Sequence, residues 1–351
     1  MTDTITEALH VPAHVELVRG PDGRWLADDL LTNRRFALDA TTLKVLVSVA
    51  AGADAAGLDP ERLARLAALG LVRRGTAWSE ELRRGWRARN WEAAARYHVA
   101  TFDYPFLDYS AAKGGFAVDR QQMGEFRQIE PDMNRVKSYP GAETFPLPRP
   151  SAGLLDGPVA MTPETARQEP PPDALARVLS MAFGAIGEIH YDVQPAAPAL
   201  RRTSPSGGAR HPCEAYLYNL GFEEFPAGVY HVHPTEPRLE SVAEVPPEEQ
   251  LAAQFQATWV RAPFTVRAIV VVTCVFERNM YRYREPRTFR TVHMDAGHLA
   301  ATVELAARSL GLRTFTQYRD SEPLVEAHLG LHHLEEGYLL SVGLGRWEEA
   351  P

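Results

Sequence analysis

Arg201-Arg-Thr-Ser-Pro-Ser-Gly-Gly-Ala-Arg-His-Pro-Cys-Glu214 decides the reading of this chain. It sets fixed positive charge, hydroxyls and two glycines directly ahead of Ala215-Tyr-Leu-Tyr-Asn-Leu220, a run of strand formers that reads as a core strand. Gly207 and Gly208 carry no Cβ, so backbone N–H groups there can approach a ring edge or a phosphate closely. Ser204 and Ser206 flank Pro205 with hydroxyl donors, and Arg201 and Arg202 supply charge. That chemistry suits a phosphorylated planar ligand; the plainer alternative is a turn feeding a strand.

Working outward, the 351 residues and 45% hydrophobic content fit two domains with substantial cores. A formal net charge of −8 argues against nonspecific nucleic-acid binding. No apolar run reaches the length of a membrane span, and Met1-Thr-Asp-Thr-Ile-Thr-Glu7 lacks the basic and apolar regions of a signal peptide, so a cytoplasmic protein without membrane attachment is expected. Cys213 and Cys274 lie in apolar segments with no CxxC neighbour and read as buried thiols. His231 and His233 alternate on a strand without a third ligand at recognisable spacing, which suggests solvent-facing histidines and no metal site. The absence of a P-loop, a GxSxG elbow or a GxGxxG turn disfavours NTPases, serine hydrolases and Rossmann dehydrogenases.

Three regions follow. In 1–78, short strands around the Pro21-Asp-Gly23 turn, an apolar-faced helix over Thr41–Ala50, a second helix capped by Asp59 with Pro60 in its first turn, and a β-wing over Leu71–Gly75 resemble a winged-helix module. Only Arg62 and Arg65, against Glu61, mark its recognition helix, so docking of a peptide or partner is expected rather than DNA. In 79–172, a helix with Trp86 and Trp91 leads to Tyr97, His98, Phe102, Tyr104, Phe106 and Tyr109, read as core or interface aromatics, and then to a Pro/Gly-rich linker from Ala111 to Pro172. In 173–351, a helix over Asp173–Phe183, several strands and a long, buried helix over His293–Leu310 make an α+β order.

Four motifs occur in fixed order within that last region: Ser204-Pro-Ser-Gly-Gly-Ala-Arg-His-Pro212, Pro226-Ala-Gly-Val-Tyr-His231, Asp295-Ala-Gly-His-Leu299 and Leu310-Gly-Leu312. Together, over about Ala174 to Arg346, they resemble the SagB-type dehydrogenases, the thiazole/oxazole peptide oxidases of the FMN-dependent nitroreductase-like superfamily. The resemblance implies an α+β nitroreductase-like domain, a mixed or antiparallel sheet flanked by helices, paired as a homodimer with FMN at the interface. It implies a precursor peptide as substrate and a cyclodehydratase or other modifying enzyme as partner. It assigns FMN to Arg201, Arg202, Ser204, Pro205, Ser206, Gly207 and Gly208, places Gly311 and Thr314 beside the isoalloxazine ring, and adds Arg346 for the phosphate. Many superfamily members carry an Arg-Arg-Ser-x-Arg segment upstream of the position of Ala174; this chain has none, which leaves the phosphate to Arg201, Arg202 and Arg346.

Arg282-Tyr283 stands where azoline-oxidising relatives have a Lys-Tyr pair that handles protons. Tyr283 is the candidate acid or base, while Arg282 keeps its charge and suits developing negative charge. The activity implied is oxidation of a peptide azoline to an azole or a related two-electron dehydrogenation in ribosomal peptide natural-product maturation. The alternative is a degenerate, noncatalytic scaffold that binds precursor peptide and partner enzymes.

Overall fold

The computed structural model describes residues 8–75, 78–102, 107–110, 114–130, 136–154, 169–190 and 199–347. The chain divides into two compact units, Met1–Phe106 and Leu107–Pro351. Among the described residues, no helix is long and apolar enough to cross a membrane.

The first unit contains β1 (Leu9–His10), β2 (Val15–Arg19), β3 (Trp25–Asp29), β4 (Arg34–Leu38), α1 (Ala40–Ala50), α2 (Pro60–Ala68), β5 (Arg73–Arg74), α3 (Trp78–Arg87) and α4 (Glu92–Ala100). The strands β2, β3 and β4 form an antiparallel meander. Helices α1 and α2 each begin on an aspartate: Asp39 accepts from the Thr42 amide at 2.7 Å, and Asp59 from the Glu61 and Arg62 amides, both at 3.1 Å, which satisfies donors the helix itself leaves open. Val15, Ala27, Leu46, Val49, Leu66 and Leu71 close the small core. The expected wing is reduced to β5, which pairs with β1 instead of folding on itself. Trp86 packs against Trp91 and His98 with ring centroids 5.6 and 5.8 Å away, and Trp91 and Phe102 remain 60% and 61% exposed. Tyr104 and Phe106 lie outside the described residues.

The second unit contains α5 (Gly115–Ile129), β6 (Thr144–Pro146), α6 (Ala174–Phe183), β7 (Ala185–Ile189), β8 (Ala199–Arg202), β9 (Cys213–Asn219), β10 (Gly228–Val232), β11 (Arg238–Ala243), α7 (Glu248–Gln254), α8 (Gln256–Arg261), β12 (Ala268–Val275), α9 (Glu277–Met280), α10 (Phe289–Ser309), β13 (Arg313–Gln317), α11 (Glu322–Leu329) and β14 (Glu336–Gly345). Seven strands form one antiparallel sheet in the order β13-β14-β12-β9-β10-β11-β6, and β7 and β8 form a separate hairpin. Alternation along β9 and β12 sends Ala215, Leu217, Val270 and Val272 toward α6 and α10, and Tyr216, Tyr218, Ile269 and Val271 toward Leu251, Phe255 and Val325. Both faces are covered, so these central strands read as near-continuous apolar runs, interrupted by Glu214 and Asn219 on β9 and Thr273 on β12. Truncating Leu217, fully buried at the sheet centre, costs about 2–5 kcal/mol.

The region expected to be linker holds α5 and the edge strand β6. α5 escapes hydrophobic periodicity because its buried positions are Gly115, Asp119 and Met123, only one of them a large apolar residue. β6 ends on Pro146, whose missing N–H an edge strand tolerates. The long helix α10 was expected to be apolar on more than one face. It buries Val292, Ala296, Leu299, Ala300, Val303 and Ala307, while Met294 and Leu305 stay 62% and 44% exposed on a stripe shared with Gly297, His298 and Ala301.

Candidate functional site

The loop from Thr203 to Pro212 leaves the β7–β8 hairpin, crosses the packed ends of α6 and α10 and enters β9. Its hydroxyls are spent on that crossing. Ser204 Oγ donates to the Ala182 carbonyl at 3.1 Å and bonds Thr302 Oγ1 at 2.8 Å. Ser206 Oγ donates to Asp295 at 2.6 Å and accepts from the His211 amide at 2.9 Å, and the Gly207 amide reaches the second Asp295 oxygen at 3.1 Å. Ser204 and Ser206, assigned from the sequence as ligand donors, therefore anchor the loop. Asp295, noted in sequence only as part of a motif, is the anchor on α10. Burial pushes its carboxyl up from the ordinary range, against the pull of the Ser206 and Gly207 bonds. What the loop presents outward is Pro205 and Gly208, with Arg201 exposed on β8 just ahead of it. Gly208, Ala209 and His211 all hold positive φ, at 60°, 50° and 47°, a concentration of backbone strain in one short turn.

Arg202 departs from its assignment. It is buried, and desolvation draws its guanidinium down to about 10 while Glu214 pulls the other way. It joins an internal charge cluster rather than a ligand surface. In that cluster Arg278 pairs with Glu214 and donates to the His211 carbonyl at 3.1 Å. The His231 ring lies 2.7 Å from Glu214 and 3.0 Å from Glu240, and Glu240 meets Arg238 at 3.0 Å. Burial pushes the Glu214 carboxyl up, but Arg278, His231 and Arg202 outweigh it and hold it at about 2. His231 and His233 are thus buried, not solvent-facing: β10 is an interior strand, and the neighbouring β9 and β11 bring Glu214 and Glu240 to His231.

Across the loop stands the turn after α9. Tyr283 packs its hydroxyl against Gly208. Burial raises the Tyr283 phenol above its ordinary value, opposed by Arg282 and Arg210, so it keeps its proton at neutral pH and offers a hydrogen-bond donor. The Arg282 guanidinium lies 4.9 Å from the Tyr283 ring centroid and bonds both oxygens of Asp119 at 2.6 and 2.8 Å, so its charge is already partnered. A cavity of about 1030 Å³ opens beside Tyr283, with Tyr281, Arg278, Lys137, Leu334 and Glu336 among its walls. Lys137 donates to Tyr216 Oη at 2.5 Å and to Glu336 at 2.6 Å. Lys137 gives no local sequence signal, because its partners are 79 and 199 residues away.

Gly311, Thr314 and Arg346 sit at the other end of the sheet. Gly311 ends α10 with φ 78°, Thr314 pairs with Leu344, and the Arg346 guanidinium lies 5.6 Å from the Phe222 ring centroid. The register runs from Cys213 opposite Cys274 at the loop end to Asn219 opposite Ala268, itself opposite Leu344. The two groups are therefore about 20 Å apart along the strand direction. One chain brings the loop of Ser204, Pro205, Ser206, Gly207 and Gly208 together with Tyr283 and its neighbour Arg282, leaves Arg201 exposed on β8 ahead of that loop, and does not bring Gly311, Thr314 or Arg346 to them.

The nitroreductase family profile matches residues 165–346, about half of the chain. Trifolitoxin-processing protein TfxB of Rhizobium leguminosarum bv. trifolii is 36% identical over 154 residues, 42% of this chain and 40% of that protein. Microcin B17-processing protein McbC of Escherichia coli is 32% identical over 133 residues, 36% of this chain and 48% of that protein. The chain thus spans less than half the length of these two curated relatives. Among solved structures, the E. coli microcin synthetase McbBCD complex with truncated pro-MccB17 bound includes a chain of 21% identity and TM-score 0.43, covering 64% of this chain and 82% of that one. The family match takes in α6, the hairpin β7–β8, every strand from β9 to β14 and the helix α10 that anchors the loop, and the chain belongs to the nitroreductase family.

Proposed function

We propose that this chain is an FMN-dependent dehydrogenase of the SagB type that oxidises a peptide substrate during ribosomal peptide natural-product maturation, with conversion of azoline to azole as the leading reaction. The names of the two relatives, a trifolitoxin-processing and a microcin B17-processing protein, support a precursor peptide as substrate, and a modifying enzyme such as a cyclodehydratase is the proposed partner. The module of residues 1–78 is assigned to docking of peptide or partner, and Trp91 and Phe102, exposed in the segment that follows, suit an interface.

The observation that carries the reading is the division of the candidate residues between two ends of the sheet. Arg201 is exposed with no ion pair among the described residues, and Gly208 offers a bare backbone on the loop that follows; Arg346, Gly311 and Thr314 offer a second cation and a second glycine turn. These residues fit a phosphorylated flavin when the two ends come from two chains. The apolar stripe of Met294, Gly297, Ala301 and Leu305 on α10 is suited to that homodimer. Bound FMN would supply a two-electron hydride acceptor. Arg201 and Arg346 would hold its phosphate, Asp295 keeps the glycine turn in place, and Tyr283 holds a proton at Oη with which to orient a substrate heteroatom. A phenol held above its ordinary pKa is better suited to donating than to the base role expected from the sequence.

A noncatalytic scaffold is the second reading, favoured by the internal commitment of Arg202, Ser204 and Ser206. The visible spectrum of the purified protein, with identification and quantitation of released flavin, separates the two. About one FMN per chain supports the dehydrogenase; a colourless protein that also refuses added FMN replaces it with the scaffold.

A further inference from the structure

We propose that α5, which precedes the family-matched residues, is a working part of the site, and that Asp119 pairs with Arg282 and offsets its charge beside Tyr283. Asp119 is 3% exposed, and both its oxygens lie within bonding distance of one nitrogen, Nη2 of Arg282. Two residues on, Arg284 pairs with Glu130, the residue that ends α5, and stacks on Phe126 of the same helix at 4.0 Å. Tyr283 stands between these two arginines, so α5 grips the turn on both sides of it. Met123 is the helix's one large buried apolar residue, and its attachment to the site turn is by charge and a cation–π contact. The family match begins at residue 165, so this helix lies outside the matched residues.

The groups that face Tyr283 divide by origin. Arg282 on its own turn and Arg210 on the glycine loop favour a phenolate. Asp119 on α5 and Tyr109, which leads into α5 and packs on Phe116 at 4.9 Å, oppose them along with burial. The added helix therefore offsets two arginines that belong to the family domain. With Asp119 uncharged, those cations act on Tyr283 without that opposition.

The test is the titration of Tyr283 in the full chain, followed by carbon NMR of tyrosine labelled at Cζ and assigned with Tyr283→Phe. Asp119→Asn should move the Tyr283 transition to lower pH, and Asp119→Glu should restore it. An Asp119→Asn protein of unchanged far-UV circular dichroism in which Tyr283 titrates as in wild type overturns the proposal. Should Asp119→Asn not fold, Asp119→Asn with Arg282→Met leaves neither charge unpaired. The double variant should titrate at lower pH than Arg282→Met alone, and equal transitions in those two proteins are again fatal. The value of this device for catalysis rests on the dehydrogenase reading. The titration needs no flavin, so its failure would remove Asp119 from the site and leave the case for FMN as it stands.

Discussion

The Tyr283 hydroxyl occupies the space that a Cβ on residue 208 would fill, and Gly208 holds φ at +60°. Two independent constraints thus select glycine at the tip of the loop: a left-handed backbone and a phenol in contact with the bare Cα. Gly208→Ala should destabilise the fold by about 1–3 kcal/mol and displace the Tyr283 ring. Urea denaturation of Gly208→Ala in wild-type and Tyr283→Phe backgrounds separates the two causes, because the closest clash goes with the hydroxyl and leaves the backbone cost with the milder ring contacts at 3.1 and 3.3 Å. Equal losses in both backgrounds would mean that the contact contributes nothing.

Glu214 makes the stability of the second unit acid-sensitive. Its folded pKa is held at about 2, below the ordinary carboxylate value of 4.5, by the cations around it. A depressed acid contributes stability that is complete above the unfolded value and is lost as pH falls through the window from 4.5 to about 2. The contribution is on the order of 3 kcal/mol. Unfolding free energies measured between neutral pH and about pH 3 should therefore fall for wild type. Glu214→Gln, which strands the buried Arg278, should start lower by about 3–5 kcal/mol at neutral pH and converge with wild type in acid. A constant gap across the range would locate the acid sensitivity elsewhere.

Legibility from the sequence followed the range of the interactions. The Ser204–Gly208 turn and the strands β9 and β12 announce themselves locally, through glycine, proline and apolar runs. The partners of Ser204 and Ser206 do not, because Thr302 and Asp295 arrive from 98 and 89 residues away. His231 was misread because period-two alternation was taken to mean one wet face, whereas helices cover both faces of the sheet and Glu214 and Glu240 flank the ring. α5 was missed because its key inward residue is a carboxylate, and a buried Asp119 looks polar until Arg282 is placed beside it.

Arg201 and Arg202 are neighbours in sequence with opposite surroundings, and the flavin should tell them apart. Arg201→Met removes an exposed charge and should change stability by no more than about 0.5 kcal/mol while lowering FMN occupancy. Arg202→Met alters the internal cluster around Glu214 and should leave FMN per chain unchanged wherever the protein folds. Flavin analysis of both variants checks this pair, and loss of FMN from Arg202→Met alone would reverse the assignment.

Ala301 lies in the exposed stripe of α10, between Met294 and Leu305, with room in the single chain for a longer side chain. Glutamate is a good helix former, so Ala301→Glu should leave the fold of one chain intact while burying a carboxylate in any contact made through that stripe. If α10 is the dimer seam and each flavin site takes Gly208 from one chain and Arg346 from the other, this substitution should yield monomers and weaken FMN binding by about tenfold or more. Sedimentation velocity and flavin titration must then move together. Monomers that bind FMN as wild type does would show that one chain completes its own site, despite the length of β9 between its two halves. Dimers that persist unchanged would move the interface away from α10.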